Sequence, residues 1–301
     1  MNERELVNRL SKVYGEREAR AIVRLVLEVS FGLSLTDIVC GSIEKMSAEE
    51  TQKLSEIMSQ LEQGMPVQYV LGVADFGPRS FHVEPGVLIP RPETYELCQM
   101  VVKDVASNKN LPSEIDILDV GTGSGCIAIT LALDIPQAHV TGWDISPEAL
   151  RIAARNAEAL SADITFEQRD FTASPPLEPS TVPCVAAMPQ QAEPPTPSKR
   201  WSIIISNPPY VTYQERSTMA RHVLDYEPEI ALFVPDDDPL VCYRYIARYA
   251  MQTLVDGGWL YFEVNPLYAS DLQRMMEEMG WHETTLHNDQ FGKKRFMKCK
   301  K

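Results

Sequence analysis

The sequence predicts an α/β protein, a doubly wound and mostly parallel sheet with an antiparallel strand near the C-terminus, preceded by a small N-terminal helical bundle and a β-hairpin linker. Three observations predict it. From about residue 3 to 63 apolar residues recur at helical spacing. From residue 115 onward short β-branched runs alternate with helical stretches, the order that builds parallel sheets. The first of those runs ends in a glycine-rich turn that opens directly into a helix.

In the bundle, Leu6, Val7, Leu10 and Val13 form one apolar stripe, Ala19, Ile22, Val23 and Val26 a second, and Leu54, Ile57, Met58 and Leu61 a third. Ser47-Ala48-Glu49-Glu50 has the form of a capping box opening the third long helix, which Gly64 and Pro66 stop. Such a bundle serves equally as a packing domain or as a platform for a protein substrate. Residues 67–92 alternate apolar and polar positions between glycine and proline punctuation, which predicts a β-hairpin linker. Pro90 and Pro92 hold Arg91 extended, because a residue preceding proline is pushed out of the α region. A stiff segment of this kind can strap two domains together or lie over a neighbouring pocket. The domain division is therefore 1–66, 67–92 and 93–301.

A helix from about Pro92 to Ala106 leads into the first parallel strand, Ile115 to Val120. Gly121-Thr122-Gly123-Ser124-Gly125 follows, then a helix from Cys126 to Leu133, an arrangement that lets a ligand approach backbone N–H groups at a helix N-terminus. Cys126 stands where the dinucleotide fingerprint needs its last glycine, so that fingerprint is not met. The next strand, His139 to Trp143, ends on Asp144, placed to accept hydrogen bonds from both hydroxyls of a ribose. Capping is the rival role for Asp144, but Ser146 and Pro147 already supply it for a helix over 147–160. Ile164 to Gln168 reads as a third strand, with Asp170 and Phe171 at its end able to meet an adenine; a core role for the ring competes.

Eight of the 22 prolines fall within residues 172–200, among Ser, Thr, Gln and Ala and with little periodicity, which predicts a loop insertion. The apolar run Trp201 to Ser206 then delivers Asn207-Pro208-Pro209-Tyr210 to the carboxyl edge of the sheet, where ligands bind in open α/β folds. Glu227-Pro228-Glu229 and the acidic stretch 235–239 read as solvated surface. Tyr243 to Thr253 reads as helix, broken by Gly257-Gly258 before a fifth strand, Trp259 to Val264. A helix near Tyr268 to Met279 and strands at 282–288 and 294–299 complete the unit. Six of the last nine residues are basic, which reads as a charged edge strand and tail.

The chain of 301 residues is long enough for two domains, and 28 basic against 42 acidic side chains give a formal charge of −14. That balance offers little of the electrostatic attraction that dominates nucleic-acid binding, so no nucleic-acid partner is expected. The six cysteines, at 40, 98, 126, 184, 242 and 299, form no C-x-x-C pair and are expected as reduced, mostly buried thiols, with no metal site. Neither a secretory h-region nor an uninterrupted apolar stretch of membrane-spanning length is present, so a cytoplasmic location is expected; a monomer is the separate expectation for its assembly.

Taken in order, Asp119 to Gly125, Asp144 and Asn207-Pro208-Pro209-Tyr210 resemble the class I methyltransferases that use S-adenosylmethionine, specifically those that methylate planar nitrogen. Pro66 to Gly72 and Leu88 to Thr94 are similar to the linker of the HemK-type family, the release factor glutamine methyltransferases. Departures are Tyr95, where the family continues with an acid, Phe76-Gly77-Pro78, and Glu263-Val264-Asn265-Pro266 after the fifth strand. The resemblance implies a class I methyltransferase, Rossmann-like fold that methylates the glutamine of the Gly-Gly-Gln motif in class 1 peptide chain release factors. It also implies roles. Gly121, Thr122, Gly123, Ser124 and Gly125 would hold the methionine part of S-adenosylmethionine, later S-adenosylhomocysteine, with Asp144 on the ribose and Phe171 on the adenine. Asn207 and Pro208 would accept the two N–H bonds of the substrate amide, Pro208 and Pro209 leave an edge without donors, and Tyr210 packs on the amide plane. Ribosomal-protein glutamine methylation, nucleic-acid N-methylation and a non-catalytic nucleotide-binding role are the alternatives this pattern leaves.

Overall fold

A computed structural model describes residues 2–108, 112–172 and 200–301. The predicted insertion at 172–200, apart from its two end residues, and Cys184 within it, lie outside the described residues. Glu3–Tyr14 (α1), Glu16–Phe31 (α2), Leu35–Val39 (α3) and Ala48–Glu62 (α4) form the N-terminal bundle. The predicted capping box is present: Glu50 N donates to Ser47 Oγ at 3.2 Å and Ser47 N to Glu50 Oε2 at 2.8 Å. All three apolar stripes are buried in one cluster except Val13, which faces solvent.

The linker differs from its sequence reading at its start. Val67–Leu71 is a short helix (α5) and not part of the hairpin. Pro66 opens it and Gly72, in the left-handed region, ends it, and the alternation there reflects burial on two opposite faces, Val67 in the bundle core and Tyr69 against Val87, Ile89 and Ile152. The hairpin proper is Val73–Phe76 (β1) with Arg79–His82 (β2). Residues 83–91 then pass through a turn at Pro85-Gly86 along the body of the protein, with Val83, Val87 and Ile89 packed on Ala149 and Ile152. Tyr95, a departure from the resembled pattern, packs edge-on to Phe76 and over Gly77, where a Cβ would come within 2.3 Å of its ring.

Pro92–Ser107 (α6) precedes a doubly wound unit: Ile115–Val120 (β3), Cys126–Asp134 (α7), Ala138–Asp144 (β4), Pro147–Leu160 (α8), Ile164–Gln168 (β5) and Trp201–Ser206 (β6). Two short strands, Val211–Thr212 (β7) and Phe233–Val234 (β8), enclose Arg221–Tyr226 (α9) and Glu229–Leu232 (α10). The chain ends with Val241–Thr253 (α11), Leu254–Glu263 (β9), Ala269–Glu278 (α12), His282–Asn288 (β10) and Lys294–Lys300 (β11). Strand β9 starts five residues earlier than its sequence suggests, because Gly257 and Gly258 form a register irregularity within it and do not interrupt it.

The seven-stranded sheet has the order β10-β11-β9-β6-β3-β4-β5, with β11 antiparallel to both its neighbours and the central pairs parallel. One core layer sits between the sheet and α6 and α7, and holds Ile117, Ile203 and Ile205; the other packs Leu118, Ile204, Leu260 and Phe262 against α11 and α12. Alternate residues of β3 and β6 thus face opposite layers, which is why these strands read as unbroken apolar runs. Their carboxyl ends, with that of β9, meet at one edge. Among the described residues no helix is long and apolar enough to cross a membrane.

Candidate active site

The turn after β3 is set by two glycines with positive φ, Gly121 at +75° and Gly123 at +55°, a conformation other residues adopt at a cost. Thr122 faces inward and donates to Asp119 Oδ2 at 2.7 Å, while Gly123 N donates to Asp144 Oδ2 at 2.9 Å. Asp144 also accepts from Ser146 N at 2.9 Å through Oδ1, so its carboxylate is held broadside at the end of β4. Burial raises Asp144 above the ordinary carboxylate range despite these donors, and pushes fully buried Asp119 up to about 7.

Gly121, Gly123, Asp144 and Phe171 line one cavity of about 320 Å³, together with Asn207, Pro209 and residues 86–88 of the linker. The sequence-predicted Thr122, Ser124 and Gly125 do not line it. Thr122 and Ser124 are almost fully buried under the turn, and Gly125 caps α7, where a Cβ would sit 3.1 Å from Ala153 and Ile129. Their place is therefore structural support for the glycines that do. The cavity is lined by glycine backbone, a carboxylate and an aromatic ring, and its size lies within the ~300–1,000 Å³ of small-molecule sites.

A second cavity, about 330 Å³, lies across Asn207. Asn207 lines both, Pro209 only the first, Pro208 and Tyr210 only the second. Apart from Asn207, Tyr210 and Arg91 its walls are apolar, among them Leu88, Met219, Val223 and Leu232. The Pro90-Arg91-Pro92 stretch thus lies beside a pocket, the second of the two roles its stiffness allows.

Four supporting residues escaped the sequence reading. Asn207 Nδ2 donates to Thr94 Oγ1 at 3.1 Å, Thr94 Oγ1 donates to Glu263 Oε2 at 2.6 Å, and the Tyr210 hydroxyl donates to Glu263 Oε1 at 3.0 Å. Burial, then the neighbouring Glu263 charge, drives Tyr210 well above its ordinary value, so the phenol stays protonated. Glu227, read as solvated surface, is 4% exposed: it accepts from Ile89 N at 3.1 Å and from Arg91 at 2.5 Å, clamping the linker over the second cavity. Asn156 joins the linker to the glycine turn, accepting from His82 N and donating to His82 O and Ser124 O. A signal did exist for Glu263, the one acid in the apolar run Trp259 to Val264; Thr94 and Asn156 sit on helices where polar residues are ordinary.

Comparison with known proteins matches residues 4–72 to the family described as PrmC N-terminal domain and residues 111–182 to the one described as Methyltransferase domain. A release factor glutamine methyltransferase of Bacteroides thetaiotaomicron is 41% identical over 288 residues, 96% of this chain and 95% of that protein. One of Flavobacterium psychrophilum is 35% identical over 297 residues, covering 98% and 96%, and one of Lactococcus lactis is 36% identical over 258 residues, covering 85% of each.

Proposed function

The chain belongs to the release factor glutamine methyltransferase family, and from that premise we propose that it transfers a methyl group from S-adenosylmethionine to the side-chain amide nitrogen of the Gly-Gly-Gln glutamine in class 1 peptide chain release factors. The observation that carries this reading is the placement of Asn207 between two cavities, one suited to the cofactor and one to an apolar stem with an amide head. S-adenosylmethionine, when bound, supplies an electrophilic sulfonium methyl.

The protein's own groups do the rest by orientation. An amide nitrogen is a weak nucleophile because its lone pair is delocalised into the carbonyl, so alignment of that nitrogen is where binding energy helps. Asn207 Oδ1 and the Pro208 carbonyl accept the two N–H bonds of the glutamine amide. Pro208 and Pro209 bring no N–H of their own to compete. Tyr210, protonated and tethered to Glu263, forms a fixed wall and not a base. The nitrogen loses its proton during or after transfer, so no ionised base precedes attack. On the cofactor side, in the cavity that these residues line, Gly121 and Gly123 would allow close backbone approach, Asp144 would hold the ribose hydroxyls and Phe171 the adenine. The N-terminal bundle, residues 1–66, is the platform that meets the protein substrate.

The test is incubation with labelled S-adenosylmethionine and, separately, a release factor, a ribosomal protein and DNA. Label on the release-factor glutamine is the expected result. Label on ribosomal protein or DNA in its place refutes the substrate assignment.

A further inference from the structure

The hydrogen bonds behind Asn207 run in one direction. Glu263, at the end of β9, is 2% exposed, and each of its two carboxylate oxygens accepts a bond from a hydroxyl. The Thr94 hydroxyl, 2.6 Å from Oε2, therefore commits its one proton there, and the Tyr210 hydroxyl commits its own to Oε1 at 3.0 Å. With its proton engaged, Thr94 Oγ1 can only accept from Asn207, 3.1 Å away. The group Asn207 turns towards Thr94 must then be its NH2. Because the amide is planar, Oδ1 points away from Thr94. An inverted Asn207 would set its oxygen against the lone pairs of Thr94, acceptor against acceptor, on the side where Asn207 meets the buried Thr94.

We infer that Glu263 and Thr94 are positioning residues that set which end of the Asn207 amide meets the substrate, and through it make the site select glutamine over glutamate. The inference rests on the reading of Asn207 as acceptor for the substrate amide. With Oδ1 and the Pro208 carbonyl presented together, the site takes an NH2 group and opposes a carboxylate, which would bring only further lone pairs and a charge. Discrimination between an amide and its isosteric acid thus originates one and two residues behind the contact itself. None of the three side chains is close to the others in sequence; Thr94 and Glu263 are 169 positions apart.

Thr94→Val keeps the shape of the side chain and removes the relay, while Thr94→Ser keeps the hydroxyl. In the full chain, with a release factor as substrate, Thr94→Val is expected to lower kcat at least tenfold, to leave S-adenosylmethionine affinity by calorimetry within twofold, and to be rescued to within threefold of wild type by serine. The variant is also expected to narrow, at least fivefold, the margin by which wild type prefers a Gly-Gly-Gln peptide over a Gly-Gly-Glu inhibitor, because a freed Asn207 can present its NH2. A valine variant with kcat and selectivity within twofold of wild type overturns the inference. If wild type itself leaves release factor unlabelled, the substrate reading fails instead, and a substrate-free measurement then decides the relay. In the wild-type protein the Asn207 side-chain NH2 protons should give a nuclear Overhauser contact to Thr94, and an assigned spectrum without that contact overturns the inference, whether or not the valine variant folds.

Discussion

Replacing Asn156 with alanine should loosen the linker from the cofactor turn at a cost that the structure allows to be counted. The side chain is 2% exposed and makes three hydrogen bonds: from His82 N at 2.7 Å, to His82 O at 3.0 Å and to Ser124 O at 2.9 Å. It acts as a one-residue strand for β2, which has no other strand partner than β1. Alanine removes all three bonds and strands their partners; at ~0.5–1.5 kcal/mol for each bond, and more where the partner stays buried, the loss is about 3–5 kcal/mol. Urea unfolding followed by tryptophan fluorescence measures it, since Trp143, Trp201, Trp259 and Trp281 all lie in the C-terminal unit. With a slope near ~3 kcal/mol per M the midpoint falls by roughly 1–1.7 M. Affinity for S-adenosylmethionine should weaken as well, because Ser124 supports the turn that presents Gly121 and Gly123. A midpoint shift smaller than about 0.3 M would mean that water or a rearranged turn replaces these bonds, and would refute the counting.

Asn207→Ala should reduce methyl transfer at least a hundredfold in single-turnover assays while calorimetric cofactor affinity changes by only a fewfold; retained turnover removes Asn207 from the mechanism. Glu227→Ala leaves Ile89 N and Arg91 without their carboxylate, and since the Arg91 side chain is 34% exposed, water recovers part of the pairing. The expected loss is about 1–3 kcal/mol, with a raised KM for the release factor and unchanged cofactor affinity; an unchanged KM would separate the clamp from substrate binding. Asp119, pushed by burial from 3.8 to about 7, holds its proton more tightly in the folded chain, so its contribution to stability is fully present below about pH 4 and is lost as pH rises through about 7. At ~1.4 kcal/mol per pH unit that loss is at most about 4 kcal/mol. Asp119→Asn should flatten the fall in urea midpoint between pH 4.5 and 8, and an identical slope in both proteins would place the titration elsewhere.

The parts of this protein legible from sequence are those where one residue's chemistry suffices. Buried strands β3 and β6 announce themselves because both faces are covered, and the capping box at Ser47 because its partners are three residues apart. Gly121 and Gly123 are readable since only glycine enters the left-handed region freely, and Asn207-Pro208-Pro209-Tyr210 because two missing donors beside an amide are unusual at a strand end. Elements too short for periodicity, and side chains whose position depends on distant groups, are not legible in this way. Val67–Leu71 alternates like a strand yet is a single helical turn, and five residues are too few for periodicity to separate the two. Glu227 reads as surface because its sequence neighbours are acidic and proline-rich; its partner Arg91 lies 136 positions away.

The same distinction runs through the site. The cavity-lining Gly121, Gly123, Asp144 and Asn207 come from the ends of β3, β4 and β6, which a parallel sheet gathers at one edge whatever the details of packing, so their motifs survive as short local strings. The groups that orient them do not. Thr94 comes from the first turn of α6, Glu263 from the end of β9 and Asn156 from α8, and each acts only because the fold brings it within 3.1 Å of its partner. A motif alone therefore specifies an asparagine, but not which end of its amide faces the substrate. In this protein that choice depends on a buried carboxylate whose surroundings raise its proton affinity. Protonation of Glu263 would give it a proton to donate to Thr94, free the Thr94 proton for Asn207, and reverse the relay. Burial favours that protonation, while the bonds from Thr94 and Tyr210 and the charge of Arg295 favour the ionised form that keeps the acceptor edge in place.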